Sequence, residues 1–221
     1  AKFLNKIEWQ SEHSKLNVEC GVSCAKIARE SVKKNMQGLE FLIGIPGTIG
    51  GALKMNAGAN GNDTWQSIKS VDVISREGKI QKLDRGAFDP GYRKINGQNQ
   101  WFVKASFELE PNQKKDGPAK IKKFLSNRKV SQPIGFFSCG SVFINPEDQF
   151  AGKLIEECGL KGLRIGGAVV SEKHANFILN DKKASATDIE DLIELVRDTV
   201  YKKTGITLER EVKIIGKKSN G

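Results

Sequence analysis

The most chemically informative part of the sequence is a glycine-rich segment, GIPGTIGGALKMNAGANG, at residues 44–61. Glycine tolerates a positive φ and lets backbone N–H groups approach a ligand closely, and successive exposed N–H groups form a nest that suits a pyrophosphate. Thr48 adds a hydroxyl, and the Asn56 amide can donate and accept hydrogen bonds at the edge of a ring. The segment therefore favours a cradle for a bound dinucleotide, although its composition alone is equally compatible with an irregular buried loop.

Other phosphate and metal motifs find no support in the sequence. The glycines lack the G-x-G-x-x-G spacing after a strand that marks a Rossmann site, and no Lys-Ser or Lys-Thr follows them, as a Walker A loop requires. Cys20 and Cys24 form C-x3-C without a second pair at zinc-ligand spacing. We therefore predict no metal site, and we expect free thiols in a reducing cytoplasm at all four cysteines: Cys20, Cys24, Cys139 and Cys158.

The elements that must position these residues follow from hydrophobic periodicity. Apolar residues at helical spacing predict a helix over residues 23–36, with Ser23 as its N-cap. Strand patterns follow at 68–74 and 80–83, separated by a turn signal at 76–79, and again at 101–109. The first half of the chain is thus predicted to be a mixed α+β unit.

The second half of the chain begins after a polar, turn-rich linker at residues 111–117. A basic helix is predicted over 118–129, a second helix over 150–158, and strand-like runs over 168–179. This half is also predicted to mix helices and strands.

A capping-box pattern at residues 187–190 predicts the start of a long helix that ends at Gly205. A closing strand is predicted after it, because apolar and charged residues alternate along the segment. The alternation places Leu208, Val212 and Ile214 on one face, and Glu209, Glu211 and Lys213 on the other.

The chain carries a formal net charge of +10, from 36 basic and 26 acidic residues. Its densest basic groups, at 114–115, 120–123, 128–129 and 217–218, are dispersed and lack interleaved aromatic residues. This pattern favours a solvated basic face or a site for small anions over a duplex-binding surface. No apolar run reaches the ~18–20 residues that span a bilayer. We expect no nucleic-acid or membrane partner, and a cytoplasmic protein.

The segment GLEFLIGIPGTIGGALKMNAGANG resembles the signature of the UDP-N-acetylenolpyruvoylglucosamine reductases. Gly91-Tyr92-Arg93 is similar to a Tyr-Arg pair of that family, and SCGSVFINP at 138–146 is similar to its G-S-V-F-x-N-P stretch, with AGKLIEECGLKGLRIGGAVVSEKHANFILN following. LEREV at 208–212 is similar to its L-E-x-E-V strand. The matches extend over about residues 6–216, and the short spacing from Arg93 to Ser141 resembles the compact second type of the family.

The resemblance implies an α+β fold in which residues 1–110 form the second half of a PP-type FAD-binding domain. A smaller α+β substrate-binding domain would follow over 118–205, and a C-terminal strand over 206–216 would close the active site. The N-terminal flavin-binding subdomain of the family would precede the first residue. We therefore expect an incomplete flavin site that would leave this chain inactive by itself, and a monomer at full length.

The activity that the resemblance implies is an FAD-dependent reduction in peptidoglycan precursor synthesis, and hence a role in cell-wall biogenesis, cell shape and cell division. NADPH would be the hydride donor, and the enolpyruvate of UDP-N-acetylglucosamine would become UDP-N-acetylmuramate. Negative charge that develops on the substrate carboxylate needs electrostatic stabilisation, and the adjacent carbon then needs a proton.

The resemblance also implies a role for individual residues. Arg93 would hold the substrate carboxylate, Ser141 would donate the proton, and Glu211 would complete the acid network. The residues expected to bind substrate are Tyr92, Arg93, Asn145 and His174. Lys153 and Arg164 are further candidates for phosphate or flavin oxygens. The residues expected to bind FAD are Gly47, Thr48, Ile49, Gly50, Gly51, Asn56, Ala57 and Gly58.

Two departures from the family pattern remove positive charge that could face a diphosphate: Ile144 stands before Asn145, and Ser131 stands before Gln-Pro, where the family has basic residues. Two other functions stay open. One is an oxidase with the same type of flavin-binding domain, although such oxidases lack the Gly-Ser-Val-Phe segment. The other is a non-catalytic module that binds a UDP-sugar or nucleic acid. Flavin absorbance in the purified protein would favour a flavoenzyme.

Overall fold

The computed structural model describes residues 3–10, 14–96 and 100–216 of the 221-residue chain. His13 and the basic pair at 217–218 lie outside these residues. The chain divides into two compact units, residues 1–127 and 128–221. The division falls within the basic helix rather than in the linker at 111–117, and both units mix helices with strands as the sequence predicts.

An antiparallel sheet forms the frame of the first unit. The strands of this unit are β1 (Ile7–Trp9), β2 (Lys15–Glu19), β3 (Met36–Gln37), β4 (Gly58–Ala59), β5 (Asn62–Asp63), β6 (Ile68–Ile74), β7 (Ile80–Asp84), β8 (Asp89–Gly91), β9 (Lys94–Asn96), β10 (Trp101–Glu108) and β11 (Glu110–Pro111). Five of them pair in the order β1-β2-β10-β6-β7, and the others form the two-stranded pairs β3-β11, β4-β5 and β8-β9. The hairpin predicted over 68–83 is confirmed, because β6 and β7 pair from Ser70↔Asp84 to Ile74↔Ile80.

The helices of the first unit are α1 (Cys24–Lys33), α2 (Ile49–Lys54) and most of α3 (Gly117–Ser131), with 3-10 turns at Glu40–Gly44, Thr64–Ser67 and Arg85–Ala87. Ser23 caps α1 as predicted, since its side chain accepts a bond from the amide of Lys26. The helix ends before Met36, because that residue joins β3 and pairs with Pro111. The largest fully buried side chains of this core are Leu16, Ile27, Leu39, Phe41, Leu42, Ile49, Leu53, Trp65 and Phe107.

The second unit packs two helices on a four-stranded antiparallel sheet. Its strands, β12 (Ser138–Ser141), β13 (Arg164–Ile165), β14 (Ala168–Val170) and β15 (Phe177–Asn180), have the spatial order β12-β15-β14-β13. The helices are α4 (Ala151–Glu157) and α5 (Ala186–Thr204). The apolar residues of α5 recur at helical spacing and are buried in the core: Leu192, Ile193, Val196 and Val200.

The two ends of α5 differ in how well the sequence predicts them. Gly205 ends the helix in the left-handed conformation, at φ 74°, as predicted. The capping box predicted at 187–190 is wrong, because the box is formed two residues earlier by Ser185 and Asp188. Each of these side chains bonds to the backbone amide of the other residue, at 3.0 and 2.9 Å.

The long C-terminal strand predicted over 206–216 is also wrong. A single β-bridge joins Arg210 to Phe143, with backbone bonds on either side from Ile144 N to Glu209 O and from Glu211 N to Val142 O, both 2.8 Å. The facing segment after β12 is not itself a strand, and Pro146 within it has no N–H to offer to further pairing. The expected apolar face persists in part, with Leu208 buried, Val212 half-buried and Ile214 43% exposed.

All four cysteines are free. Burial raises the pKa of the Cys20 thiol to about 12 and that of Cys24 to about 11. Among the described residues, no three His, Cys, Asp or Glu side chains form a group that could hold a metal ion. No helix in the described part of the chain has the length and hydropathy that crossing a membrane requires.

Candidate functional site

The glycine-rich segment contains the short helix α2, with a backbone turn before the helix and another after it. Gly47 has a φ of 98°, which favours glycine, and its carbonyl accepts a bond from the first amide of α1 at 3.1 Å. Thr48 is the N-cap of α2 and forms a β-bridge with Ser23, but its hydroxyl makes no capping bond to the helix. Pro46 and Gly47 are exposed, so this turn offers backbone and hydroxyl groups to a ligand.

The expected run of exposed amides is interrupted at two of the predicted cofactor residues. The amide of Ile49 donates to Val22 O and that of Gly50 donates to Cys20 O, both at 2.9 Å. Ile49 is fully buried, and a Cβ at Gly50 would lie 3.1 Å from Cys20 Cβ. The backbone amides of Ile49 and Gly50 thus anchor α2 to the segment between β2 and α1. A cofactor contact of either residue stays a prediction.

Gly51 is the glycine that leaves room for a ligand. It is exposed and its φ lies outside the left-handed region, and a Cβ built on it would meet nothing within 4 Å. Neither backbone conformation nor internal packing therefore requires glycine at this position in α2. An open backbone surface beside the Gly47 turn fits the close approach of a phosphate group, so the residues present fit an FAD-binding role.

The last glycines of the segment serve the β4-β5 hairpin. Asn60 and Gly61 form its turn with φ of 55° and 80°, as a two-residue type I′ turn requires. A Cβ at Gly58 would lie 2.7 Å from Asn62 O, so close strand packing explains that glycine. Gly58 remains half-buried at the edge of the segment.

Asn56 and Ala57 connect α2 to two neighbouring structures. The buried Asn56 amide donates to Gly91 O at 3.1 Å and accepts from the Trp65 amide at 3.3 Å. The Ala57 carbonyl accepts bonds from both the amide and the hydroxyl of Thr64. An asparagine amide has two donors and two acceptor sites, so Asn56 keeps further capacity for a ligand.

Tyr92 and Arg93 form the two-residue turn between β8 and β9, with Arg93 at a φ of 57°. Tyr92 is exposed, and its ring lies 5.3 Å from the Arg93 guanidinium carbon in a cation–π contact. Arg93 Nη1 lies 3.5 Å from Gly58 O. Together with the bond between Asn56 and Gly91, these contacts place Arg93, the residue predicted to bind the substrate carboxylate, next to residues 56–58, which are predicted to bind FAD.

Ser141 ends strand β12 in the second unit, at an irregularity in its pairing with β15. Gly140 has a φ of 85°, and a Cβ built on it would meet nothing within 4 Å, so the backbone before Ser141 is open on that side. The serine itself is half-buried.

Glu211 pairs through its backbone with the residue after Ser141, because the Glu211 amide donates to the Val142 carbonyl at 2.8 Å. Arg210, which pairs with Phe143, forms a 3.1 Å ion pair with Glu194 on α5. Ser141 and Glu211 thus belong to adjacent backbone segments of the second unit, and their catalytic roles stay predictions.

Asn145 and His174 meet at the first turn of α4. Asn145 Oδ1 accepts the Ala151 amide at 3.0 Å, and a Cβ at Gly152 would lie 3.1 Å from His174 Cε1. The His174 ring packs edge-on against Phe177, with centroids 4.9 Å apart. Its Nδ1 accepts the amide of Asn176 at 3.3 Å, which assigns the proton of the neutral ring to Nε2.

The charged candidates Lys153 and Arg164 have partners within the second unit. Lys153 Nζ lies 3.7 Å from Oε1 of Glu157, one helical turn away, and Arg164 forms an ion pair with Asp181. These contacts occupy both side chains in the described structure.

Two buried polar residues of this unit were missed by sequence reasoning. Ser171 Oγ accepts the amides of Lys173 and His174 at 3.2 and 3.3 Å, and Asn176 bonds to the backbone of Phe143. A signal was present, since both are polar residues in the largely apolar stretch that flanks His174. Such residues are expected to have internal hydrogen bonds.

Two family models match the chain. The C-terminal domain of UDP-N-acetylenolpyruvoylglucosamine reductase matches residues 132–215, and an FAD binding domain matches residues 1–84. Together the matched regions include every predicted site residue except Tyr92 and Arg93.

Proteins named UDP-N-acetylenolpyruvoylglucosamine reductase are similar over most of the chain. The one from Legionella pneumophila (strain Corby) is 51% identical over 203 residues, which are 91% of this chain and 66% of the relative. The one from Alkalilimnicola ehrlichii is 47% identical over 206 residues, 93% of this chain and 69% of the relative. The chain thus spans slightly less than two thirds of the length of the Legionella relative.

A solved structure shows the same fold. The crystal structure of the UDP-N-acetylenolpyruvylglucosamine reductase from Thermus caldophilus aligns with a TM-score of 0.79 and 32% sequence identity. The alignment covers 89% of this chain and 71% of that chain.

Proposed function

Because the chain belongs to the UDP-N-acetylenolpyruvoylglucosamine reductase family, we propose that it carries the catalytic residues for reducing UDP-N-acetylglucosamine enolpyruvate to UDP-N-acetylmuramate. The reaction uses NADPH and FAD and belongs to cytoplasmic peptidoglycan precursor synthesis. The observation that carries the proposal is the match of the reductase C-terminal domain to residues 132–215, in which the Glu211 amide bonds to the carbonyl of Val142, the residue after Ser141.

FAD, when bound, supplies hydride transfer from NADPH to the enolpyruvyl double bond. The chain offers it two groups of residues at opposite ends of α2. Gly47 and Gly51 present open backbone, and Thr48 presents a hydroxyl, at the N-terminal end. Asn56, Ala57 and Gly58 lie at the other end, beside the Tyr92–Arg93 turn.

Arg93 binds the carboxylate of the enolpyruvyl group. Its guanidinium is held by the Tyr92 ring and the Gly58 carbonyl, which fixes its direction before substrate arrives. A guanidinium presents five N–H donors in a planar fork, so it can hold both carboxylate oxygens while negative charge develops on them.

Ser141 supplies the proton that completes the reduction at the carbon next to the hydride-accepting carbon. A serine hydroxyl is a weak acid, so proton donation needs a polar neighbour that stabilises the resulting alkoxide. Glu211, whose backbone amide bonds to the carbonyl of Val142, the residue after Ser141, provides the carboxyl group of this network.

Asn145, His174 and Tyr92 bind the remainder of the substrate. With Nδ1 of His174 occupied by the Asn176 amide, Nε2–H is a donor suited to a phosphate or sugar oxygen. The full-length protein is proposed to act as a monomer.

The test is substitution of Ser141 in the natural polypeptide that contains this chain, purified with FAD. We expect Ser141→Ala to lower kcat about 100-fold or more, the usual range for a lost general acid, with flavin absorbance unchanged. The assay follows NADPH oxidation and formation of UDP-N-acetylmuramate.

Ser138→Ala, on the same strand and exposed, is the matched control and should keep wild-type turnover. Full turnover by a flavin-loaded Ser141→Ala protein would show that Ser141 is not the proton donor. A flavin-loaded wild-type protein that forms no UDP-N-acetylmuramate would overturn the proposed function itself.

A further inference from the structure

The Asn176 side chain makes two hydrogen bonds to the backbone of Phe143, in the segment that follows Ser141. Its side chain is buried, at 4% exposure. Oδ1 accepts the Phe143 amide at 2.9 Å, and Nδ2 donates to the Phe143 carbonyl at 2.8 Å. The amide side chain thus takes the place of a neighbouring strand for this one residue.

The backbone of Asn176 extends the same contact to two more residues. Its carbonyl accepts the Val142 amide at 2.9 Å, and its N–H donates to His174 Nδ1 at 3.3 Å. A single residue therefore fixes the two positions after Ser141 and also orients the His174 ring.

The opposite edge of residues 142–144 pairs with the segment that carries Glu211. Val142 O accepts the Glu211 amide, and Ile144 N donates to Glu209 O, both at 2.8 Å. Phe143 lies between Asn176 on one side and Arg210 on the other. A shift of Phe143 would therefore disturb Val142, which follows Ser141 in the chain and accepts the Glu211 amide.

The chemistry of this position selects asparagine. A carboxamide combines a donor and an acceptor on one short planar group, so it satisfies both the N–H and the C=O of Phe143. An apolar residue would leave both buried groups without a partner, and an ionised Asp would supply no donor to the carbonyl.

We propose that Asn176 is a positioning residue for proton donation, because it holds Ser141 in register with Glu211 through the backbone of residues 142–143. It also keeps the proton of His174 on Nε2. The inference rests on the proposed reductase function.

The pH dependence of kcat in Asn176→Asp distinguishes a positioning role from a merely structural one. A protonated Asp keeps one O–H donor and one acceptor, so it can replace both bonds to Phe143, whereas the ionised form cannot. We expect kcat about 100-fold below wild type when Asp is ionised, the scale of a misplaced catalytic group. Recovery toward wild type is expected as the pH falls.

The titratable neighbours of this position are His174, which touches it directly, and Glu211 and Arg210 across Phe143. A control variant must therefore show how much of the pH dependence of kcat these groups cause by themselves. Asn180→Asp does so, because Asn180, at the end of β15, makes the same paired bonds to one residue, Ala184, at 2.8 and 3.5 Å. It should keep the wild-type pH profile of kcat.

A second variant covers the case in which Asn176→Asp does not fold at neutral pH. Asn176→Ala removes both bonds without adding a titrating group, so it should lower kcat by a similar factor at every pH and leave the KM for NADPH unchanged. Thermal unfolding of each variant establishes that it is folded at each pH of the assay.

The outcomes separate the inference from the proposed function. Recovery of Asn176→Asp at low pH, with a flat profile for Asn176→Ala, would support the inference. Wild-type kcat in either variant, the same acid recovery in Asn180→Asp, or loss of folding in both Asn176 variants at every pH would overturn it alone. Absence of turnover in the flavin-loaded wild type would overturn the proposed function, and this inference with it.

Discussion

Burial decides the protonation state of His174, a residue that the sequence already singled out. Removal from water lowers its pKa below the ordinary value of 6.5, and Lys161 adds to the shift, while a backbone hydrogen bond and Glu156 oppose it. The folded protein therefore favours the neutral ring, whose Nδ1 accepts the Asn176 amide. A neutral ring with Nδ1 occupied offers one hydrogen-bond donor, at Nε2, and carries no charge.

The lowered pKa predicts a loss of stability on acidification. Between pH 6.5 and the lower folded pKa, the unfolded chain binds more protons than the folded chain, so the free energy of unfolding falls as the pH falls through that window. Urea denaturation on both sides of pH 6.5 measures this dependence, which should shrink in His174→Gln.

His13→Gln is the control variant, because His13 is the only other histidine in the sequence and lies outside the described part of the structure. If His174→Gln loses as much stability on acidification as the wild type, the titration belongs elsewhere.

The two adjacent glycines of helix α2 have different surroundings. Gly50 faces Cys20 closely and is needed for packing, whereas Gly51, the next residue, faces open space. A glycine inside a helix costs roughly 0.5–1 kcal/mol relative to alanine, and packing does not require one at Gly51, so this position is the one at which we propose that a ligand approaches the backbone.

The prediction for this element is that Gly51→Leu separates stability from FAD binding. Leucine is a good helix former, so the variant should unfold at the same temperature as the wild type or higher. Its side chain would fill the open surface, and FAD affinity, measured by quenching of flavin fluorescence, should fall at least 10-fold, or about 1.4 kcal/mol.

Gly86→Leu is the matched control, because Gly86 is also exposed, has open space at its Cβ position and lies outside the glycine-rich segment. It should leave FAD affinity unchanged. Equal FAD affinity in Gly51→Leu and the wild type would remove Gly51 from the cofactor site.

Elements defined by local periodicity could be predicted from the sequence, and contacts made by distant residues could not. The β6-β7 hairpin and the apolar face of α5 follow from spacing alone. The N-terminus of α5 does not, because Ser185–Asp188 and 187–190 both fit a capping box. The bond from the Gly167 amide to Asp188 Oδ2, at 3.2 Å, favours the first, and it joins residues 21 apart.

The same limit applies to the candidate site. The resemblance identified Ser141 and Glu211, and only the structure shows that the Glu211 amide bonds to the residue after Ser141. Nothing local in the sequence shows that the carbonyls of Val22 and Cys20 accept the amides of Ile49 and Gly50. Asn176 was missed for a similar reason, since its partner Phe143 is 33 residues away.

The whole molecule carries a formal charge of +10, and that excess is distributed over the surface. Helix α3 contributes exposed lysines such as Lys122 and Lys123, while other lysines are paired, as Lys104 is with Asp72 at 2.9 Å. A dispersed positive potential raises the encounter rate of any anionic ligand without forming a specific site. NADPH and a UDP-sugar are both multiply anionic, so such a field would act on both.

Electrostatic steering predicts that kcat/KM for NADPH falls as ionic strength rises, because the Debye length shortens to about 10 Å at 0.1 M salt. Since chemistry inside the site is less screened, kcat should change little over the same range. Replacing Lys122 and Lys123 by Glu lowers the net charge without touching a proposed site residue, and it should flatten the salt dependence of kcat/KM. A kcat/KM independent of salt would show that the charge excess does not steer substrate, and binding of duplex DNA with a steep salt dependence would then assign that excess to nucleic acid.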